Sequence, residues 1–168
     1  DPGMRFSYNI SAGNGKIVQM EDYMDFLVDD EDTKVVSIYI EGVKNADKFA
    51  AVLKKAAEKR KPVVILKAGR SAKGGAIAAS HTGSLSGSDA SFDAVLKKFG
   101  AIRVDDLEEL IAMSLMLSTM KRMPEKATFA SMNLSGGETG ICADVGSLNG
   151  IEYPDFTEET LKKLKEQL

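Results

Sequence analysis

The only histidine of the chain, His81, lies in the stretch "ASHTGS", where the neighbouring side chains are small. A neutral imidazole nitrogen near pH 7 can act as a base, a nucleophile or a metal ligand. No second His or Cys stands nearby to complete a metal site, and the G-x-S-x-G turn of a serine triad is missing. The role of a nucleophile that accepts a phosphoryl group remains possible, because it needs an accessible ring and the neighbouring side chains are small. A surface histidine without a chemical role also stays open, and residue statistics alone favour it.

A histidine nucleophile also needs a carboxylate at its second ring nitrogen, which fixes the tautomer and offsets the charge. Glu41 could serve, since it follows the apolar run "VVSIYI", which is typical of a buried strand. In open α/β sheets, ligands bind beyond the carboxyl ends of the strands. We therefore expect Glu41 to share one edge of the sheet with "SAGNGK", where Ser11, Gly13 and Asn14 form a possible substrate rim. Whether these three residues bind substrate or only shape a turn stays open.

A glycine-rich turn, "LSGGETG", follows the last predicted strand and precedes a predicted helix. Backbone amides at a helix N-terminus favour a phosphate, so Ser135, Gly136 and Gly137 are candidate phosphate-binding residues. The turn lacks the Lys-Ser/Thr ending of a P-loop and the full dinucleotide spacing. A tight strand-to-helix turn without a ligand explains the same residues equally well. Lys67 and Arg70 could steer a phosphate, but we expect them to be solvated, as surface charges usually are.

Five segments are predicted as strands, with helical spacing between them. They are Met4–Ile10, Val35–Ile40, Val63–Leu66, Ala101–Val104 and Thr128–Leu134. Apolar strands joined by amphipathic helices are typical of a parallel sheet with helices on both faces, so we predict an α/β, flavodoxin-like fold. Asp105 is predicted to cap the helix that begins in "DLEEL", with Glu108 completing a capping box, and Thr157 to cap the last helix.

The composition is that of a globular protein of 168 residues with a net charge of -3. The negative charge gives no indication of a nucleic-acid surface, and no apolar run reaches the roughly 20 residues that cross a bilayer. The single cysteine, Cys142, excludes an internal disulfide and fits a reducing compartment. We therefore expect a cytoplasmic protein that binds neither nucleic acid nor membrane.

Several stretches of the chain, taken in order, resemble the succinyl-CoA synthetase superfamily. They are "YNISAGN", "TKVVSIYIEGV", "KRKPVVILKAGRS" and "AASHTGSLSGSDASFDAVLKKFGAIRVDDLEEL". The resemblance is to the ADP-forming acetyl-CoA synthetase branch, also called NDP-forming acyl-CoA synthetases, and implies a flavodoxin-like ligase domain with a phosphohistidine. The close resemblance covers residues 6–122, and the stretch "MKRMPEKA" around Pro124 is the predicted boundary, so residues 1–124 are assigned to this CoA-ligase domain. It assigns residues 125–168 to the start of the following flavodoxin-like domain, or to a segment that completes the first.

The resemblance implies a fragment of an enzyme that converts an acid, CoA and a nucleoside triphosphate to acyl-CoA, nucleoside diphosphate and phosphate. His81 would carry the phosphoryl group, and Glu41 would support the histidine. Coenzyme A and ATP or ADP with Mg would bind mainly to CoA-binding and ATP-grasp domains or subunits, which this chain lacks. The isolated chain is therefore expected to be inactive, and an oligomer is compatible with the resemblance. No metal ligand is predicted within the chain.

The chain also departs from the family pattern. The usual first strand and helix, which precede "FSYNISAGN", are missing, and they would supply the central strand of a 2-1-3-4-5 sheet. Thr128–Leu134 could begin the next domain or fill that centre. The alternative function is a non-catalytic, ligase-like regulatory or binding domain of a larger protein such as an acyltransferase, in which the histidine is typically lost. A phosphoacceptor signalling domain would need an acidic cluster that "ISAGN" does not supply.

Overall fold

The structure, a computed structural model, describes residues 3, 5–71, 73–75, 88–122 and 128–167. The helices and strands are α1 (Met20–Asp29), β1 (Val36–Ile40), α2 (Ala46–Glu58), β2 (Val63–Lys67), α3 (Asp89–Phe99), β3 (Ile102–Val104), α4 (Leu107–Thr119), α5 (Gly136–Leu148) and α6 (Glu158–Gln167). The chain divides into two compact units, Asp1–Met120 and Lys121–Leu168. None of the described helices is long and apolar enough to cross a membrane.

The first unit is built on a parallel sheet in which the described strands lie in the order β1-β2-β3. Ile38 of β1 pairs with Ile65 of β2, which in turn pairs with Arg103 of β3. Every residue of β2 is buried, because the strand has a neighbour on each side and helices above and below. The predicted α/β, flavodoxin-like fold is confirmed.

Helices cover the sheet on both faces. The larger core joins α1, α2 and α3 to one face and consists of Met24, Val28, Val36, Ile38, Ile40, Phe49, Val52, Leu53, Ala56, Val63, Ile65 and Leu96. The smaller core consists of Val64, Leu66 and Val104, with Leu110, Met113 and Leu117 of α4 packed against it. Successive side chains of a strand point to opposite faces, which is why Val64 and Ile65 belong to different cores.

Two of the predicted strands are wrong. Residues 5–10 lie outside any strand, and within Thr128–Leu134 only Thr128 forms a bridge, which is parallel and pairs it with Glu152. A strand needs a neighbouring backbone for its hydrogen bonds, and no described residue pairs with residues 5–10 in this way. Phe6 is accordingly 69% exposed. The apolar pattern of these residues is therefore insufficient to form a strand without a partner.

The helix caps show one shift from the prediction. Asp106, rather than Asp105, caps α4 by accepting a hydrogen bond from the Glu109 N–H at 2.8 Å. Glu109 Oε2 accepts at 2.8 Å from the N–H of Asp105, the residue before the cap. The sequence "DDLEEL" contains two overlapping Asp-x-x-Glu patterns, and the structure uses the second. The predicted cap of α6 is confirmed, since Thr157 Oγ1 accepts from the Thr160 N–H at 3.2 Å.

The second unit packs α5 closely against the segment that follows it. Gly146 of α5 is buried, and a Cβ at this position would clash with the ring of Tyr153. The Tyr153 hydroxyl donates to the Cys142 carbonyl at 3.2 Å. Several large apolar side chains of this unit are exposed, among them Met132, Leu134, Ile141, Val145 and Leu148.

Candidate functional site

Glu41 follows Ile40, the last residue of β1, at the edge of the sheet formed by the carboxyl ends of the parallel strands. The Ala68 N–H, directly after β2, donates to the Ile40 carbonyl at 2.8 Å, so the pairing of the two strands continues to the end of β1. The Glu41 side chain is half-buried. The structure therefore holds this carboxylate at the edge where open α/β sheets bind ligands.

A cleft of 690 Å³ lies beside Glu41 in the first unit. It is lined by residues from the segment 6–15, from the start of α1, including Glu21, from β1 and the loop after it, and from α4. The predicted rim residues Ser11, Gly13 and Asn14 line this cleft together with Glu41. The structure thus brings together four of the residues that the sequence singled out.

The segment that carries the rim residues is a tight turn. The Gly15 N–H donates to the Ala12 carbonyl at 3.1 Å. Gly13 and Gly15 have φ angles of 53° and 49°, a left-handed conformation that costs glycine little. The Asn14 carbonyl accepts a hydrogen bond from the Lys44 ammonium. Gly13 therefore acts through the backbone conformation it permits, while Ser11 and Asn14 are exposed beside the cleft.

A second carboxylate in this region, Glu21, was not predicted from the sequence. Its side chain is buried, with 1% of the residue exposed. Glu21 Oε1 accepts hydrogen bonds from the backbone N–H groups of Lys44, at 3.0 Å, and Asn45, at 3.1 Å. In the sequence, Glu21 reads as an ordinary acidic residue in the first turn of a helix, and no local pattern indicates its partners.

His81, the predicted phosphohistidine, lies within residues 76–87, outside the described residues. The described chain stops before this stretch at residue 75, after β2, and resumes at residue 88, directly before α3. Lys67 is 4% exposed, so the prediction that it is solvated is wrong. The reason is its position at the end of the central described strand. Arg70 is exposed, with 45% of its side chain accessible, and pairs with Asp105.

Asp89, at the start of α3, gathers three cationic side chains. Arg103 Nη2 lies 2.6 Å from Asp89 Oδ1, Lys67 Nζ lies 3.8 Å from the same oxygen, and Arg70 Nε lies 4.0 Å from Oδ2. The hydrogen bond from Arg103 is the main cause that lowers the pKa of Asp89. The carboxylate therefore stays ionised at neutral pH and joins α3 to the ends of β2 and β3. Across the described ranges, no three His, Cys, Asp or Glu side chains are arranged to hold a metal ion.

The predicted phosphate-binding turn lies in the second unit and forms the start of α5. Ser135 Oγ accepts from the Glu138 N–H at 3.2 Å, and Glu138 Oε2 accepts from the Leu134 N–H at 3.2 Å. The Ser135 bond caps the helix, and the second bond ties Glu138 to the residue before the cap. Gly136 and Gly137 are exposed in the first turn, where backbone N–H groups have no acceptor within the helix. Phosphate binding by this turn stays a prediction.

Residues 1–117 match the family described as the succinyl-CoA ligase like flavodoxin domain. The chain belongs to this family. It is 38% identical over 99% of its length to acetate–CoA ligase [ADP-forming] I of Archaeoglobus fulgidus, and covers 24% of that protein. It is 35% identical over 95% of its length to the alpha subunit of acetate–CoA ligase [ADP-forming] II of Pyrococcus furiosus, and covers 34% of it. The resemblance inferred from the sequence is confirmed.

Two further relatives extend this similarity. The chain is 36% identical over 92% of its length to 4-hydroxybutyrate–CoA ligase [ADP-forming] of Nitrosopumilus maritimus, and covers 22% of that protein. The solved structure of dinucleotide forming acetyl-coenzyme A synthetase 1 from Ca. Korarchaeum cryptofilum, in complex with phosphate and ADP, matches with a TM-score of 0.80 at 30% identity. That match covers 94% of this chain and 34% of the other. This chain thus spans about a quarter to a third of the length of the curated relatives it matches.

Proposed function

We propose that the chain is part of an NDP-forming acyl-CoA synthetase, which joins an acid to coenzyme A at the expense of a nucleoside triphosphate. The observation that carries this proposal is the similarity to ADP-forming CoA ligases over 92% or more of the chain. The acids in the names of these relatives are acetate and 4-hydroxybutyrate. Family membership therefore indicates the type of reaction without fixing the acid.

In the proposed ligase direction, a ring nitrogen of His81 attacks the terminal phosphorus of ATP. The new N–P bond forms as the bond to the leaving oxygen of ADP breaks. His81 then gives up the phosphoryl group to a carboxylate oxygen of the acid, which produces an acyl phosphate and the free imidazole. The thiol of coenzyme A attacks the acyl carbon, loses its proton and displaces phosphate. A covalent carrier of this kind suits two reactions that take place at separate positions.

The proposed role of Glu41 is to accept a hydrogen bond from the second ring nitrogen of His81. Such a bond fixes which nitrogen is free to attack and stabilises the positive charge that the ring gains once it is phosphorylated. This role is supported by the position of Glu41 at the carboxyl end of β1 and by its place in the cleft with the "SAGNG" turn.

The remaining site residues belong to the same proposal. Ser11, Gly13 and Asn14 would form part of the substrate rim, which is supported by the cleft they share with Glu41. Ser135, Gly136 and Gly137 would receive a phosphate at the exposed N-terminus of α5. Glu138, which accepts from the Leu134 N–H, brings a negative charge to this turn, so phosphate binding there must overcome a local repulsion.

CoA-binding and ATP-grasp domains or subunits are the proposed partners, and coenzyme A and ATP or ADP with Mg would bind mainly to them. This part of the proposal is supported by the short span of the chain, 22% to 34% of its relatives, one of which is named as an alpha subunit. The cytoplasm is the proposed location, supported by the single cysteine.

The experiment uses the complete enzyme that contains this chain, incubated with ATP labelled at its terminal phosphate. We expect protein-bound label that is lost in acid, is retained in base, and is absent from His81→Ala, because an N–P bond has this stability. The control is Lys54→Ala on the exposed face of α2, which should be labelled like the wild type. Acid-stable label, or label retained in His81→Ala, would contradict the phosphohistidine.

A further inference from the structure

We propose that Glu21 is a positioning residue for phosphoryl transfer, and that it acts by holding Glu41 in place through the loop between β1 and α2. This inference rests on the proposed function, in which Glu41 orients His81. Glu21 lines the same cleft as Glu41, but is assigned no contact with the substrate or the histidine. Its role is to fix the backbone from which the Glu41 side chain extends.

The contacts of Glu21 are directed at that loop. Both backbone N–H groups, those of Lys44 and Asn45, donate to the same oxygen, Glu21 Oε1. A buried carboxylate is costly unless it is hydrogen-bonded, and these two bonds offset that cost. The position of Glu21 in the first turn of α1 also favours a negative charge, because the N-terminal end of a helix is partly positive. The buried carboxylate is therefore stabilised by the same two hydrogen bonds that hold the loop.

Glu41 lies between two fixed points of the backbone. On one side, the Ile40 carbonyl accepts from the Ala68 N–H at 2.8 Å. On the other side, Glu21 holds residues 44 and 45, and the Asn45 side chain caps α2 by accepting from the Lys48 N–H at 3.0 Å. Only residues 41–43 separate these points, and Val43 packs against the larger core. A loop this short, fixed at both ends, leaves Glu41 little freedom.

The same anchor reaches the "SAGNG" turn. Lys44, whose backbone N–H is held by Glu21, donates from its ammonium to the Asn14 carbonyl, and its Nζ lies 3.4 Å from the Gly15 carbonyl. The two loops that line the cleft are thus joined through one residue. Loss of the Glu21 anchor should disturb Glu41 and the rim residues together.

The first test measures the rate at which acid-labile label appears on His81 in the complete enzyme. Glu21→Ala removes the acceptor, and we expect the rate to fall about 10-fold or more, since a misplacement of ~1 Å can cost on the order of 100-fold. Glu21→Gln keeps the Oε1 acceptor and should remain close to the wild type. The controls are Asp25→Asn, one turn along α1, and Val28→Ala, which weakens the core without touching the loop. A normal rate in Glu21→Ala would overturn the proposal, and so would an equal loss in Val28→Ala at similar stability.

A double substitution tests whether Glu21 acts through Glu41. If it does, Glu21→Ala should cause little further loss in a chain that already carries Glu41→Ala, because the group being positioned is gone. If the two losses multiply, Glu21 acts by another route and the proposal is overturned.

Backbone amide NMR of the full 168-residue chain separates this proposal from the proposed function. In Glu21→Ala we expect changed amide shifts at Lys44, Asn45 and Glu41, whereas Asp25→Asn should leave them unchanged. Unchanged shifts at Glu41 would overturn the positioning role even if His81 is phosphorylated. Changed shifts in a protein whose parent enzyme gives no acid-labile label would reject the phosphohistidine and retain the anchor.

Discussion

The surroundings of a carboxylate determine what it can act on. Glu41 is half-buried beside a cleft and can still reach a partner that enters from the solvent side. Glu21 also lines this cleft but is only 1% exposed, and its Oε1 accepts from the backbone N–H groups of Lys44 and Asn45. Both residues are glutamates that line one cleft, yet their different burial suits them to different tasks.

The substitution Glu41→Gln tests the task proposed for this carboxylate. The glutamine side chain keeps the size and a hydrogen-bond acceptor but loses the charge that stabilises a phosphorylated imidazole. We expect formation of the acid-labile label in the complete enzyme to slow by about 10- to 100-fold, by analogy with the loss seen when the carboxylate partner of a metal-bound histidine is removed. The matched control is Glu58→Gln, an exposed glutamate at the end of α2. Equal rates in the two variants would remove Glu41 from the mechanism.

The place of a single residue could be predicted from the sequence only where its neighbours along the chain determine where it lies in the fold. Glu41 follows an apolar strand directly, so its place at the edge of the sheet could be predicted. Glu21 could not be predicted, because its partners are residues 44 and 45, which only the packing of α1 beside the β1–α2 loop brings near. Lys67 was expected to be solvated for a similar reason, since its burial depends on the strands and helix around it.

Among the elements, α1 and α2 are joined by a ladder of ion pairs along their exposed sides. Lys55 Nζ lies 2.6 Å from both Asp25 Oδ1 and Asp29 Oδ2, and Lys59 Nζ lies 2.5 Å from Asp29 Oδ1. Hydrogen bonds from Lys55 and then Lys59 lower the pKa of Asp29 from 3.8 to about 2. The folded protein therefore holds the ionised form of this carboxyl more strongly than the unfolded chain does.

This difference predicts how the stability contributed by Asp29 depends on pH. Because the pKa is lowered on folding, the contribution is present above about pH 4 and is lost as the pH falls toward 2. Urea unfolding should show Asp29→Asn to be less stable than the wild type at neutral pH, with the gap closing toward pH 2. High salt should narrow the gap at neutral pH, since the pairs are exposed. Asp32→Asn, in an exposed loop, should show no such gap, and a gap that is constant with pH would contradict the assignment.

The elements that sequence reasoning predicted well are those whose pattern and partners agree. Residues 63–66 of β2 are apolar and the strand is buried on both faces, and α2 carries its apolar stripe on the face that meets the sheet. Residues 5–10 alternate polar and apolar side chains, as a half-buried strand does, but have no strand beside them in the described structure. The start of α4 could be predicted only to within one residue, because Asp105 and Asp106 each offer a capping pattern with a glutamate.

For the whole molecule, the span of the chain leads to a prediction about activity. Covering 22% to 34% of its relatives, the isolated chain should form no acyl-CoA from acid, coenzyme A and ATP. The complete enzyme assayed side by side should be active, which shows that the conditions are adequate. Measurable turnover by the isolated chain would contradict the view that the nucleotide and coenzyme A bind mainly elsewhere.

The domain organisation stays a prediction at this scale. The two compact units meet between Met120 and Lys121, a few residues before the boundary proposed at residue 124. Whether residues 125–168 begin a second domain or complete the first depends on neighbours of the second unit. Such neighbours would pack against the exposed apolar side chains of α5, namely Ile141, Val145 and Leu148.

Gly146 has no side chain where the Tyr153 ring packs, so adding one methyl group at this position tests whether that contact stabilises the second unit. Gly146→Ala should force the Tyr153 ring away and weaken its bond to the Cys142 carbonyl, at a cost of about 1–3 kcal/mol. Gly140→Ala, in the same helix, meets nothing within 4 Å and should instead stabilise by about 0.5–1 kcal/mol. Urea unfolding that shows opposite signs for the two variants would show that α5 and residues 151–153 fold cooperatively. If both substitutions stabilise the protein against urea, α5 forms without the contact between Gly146 and the Tyr153 ring.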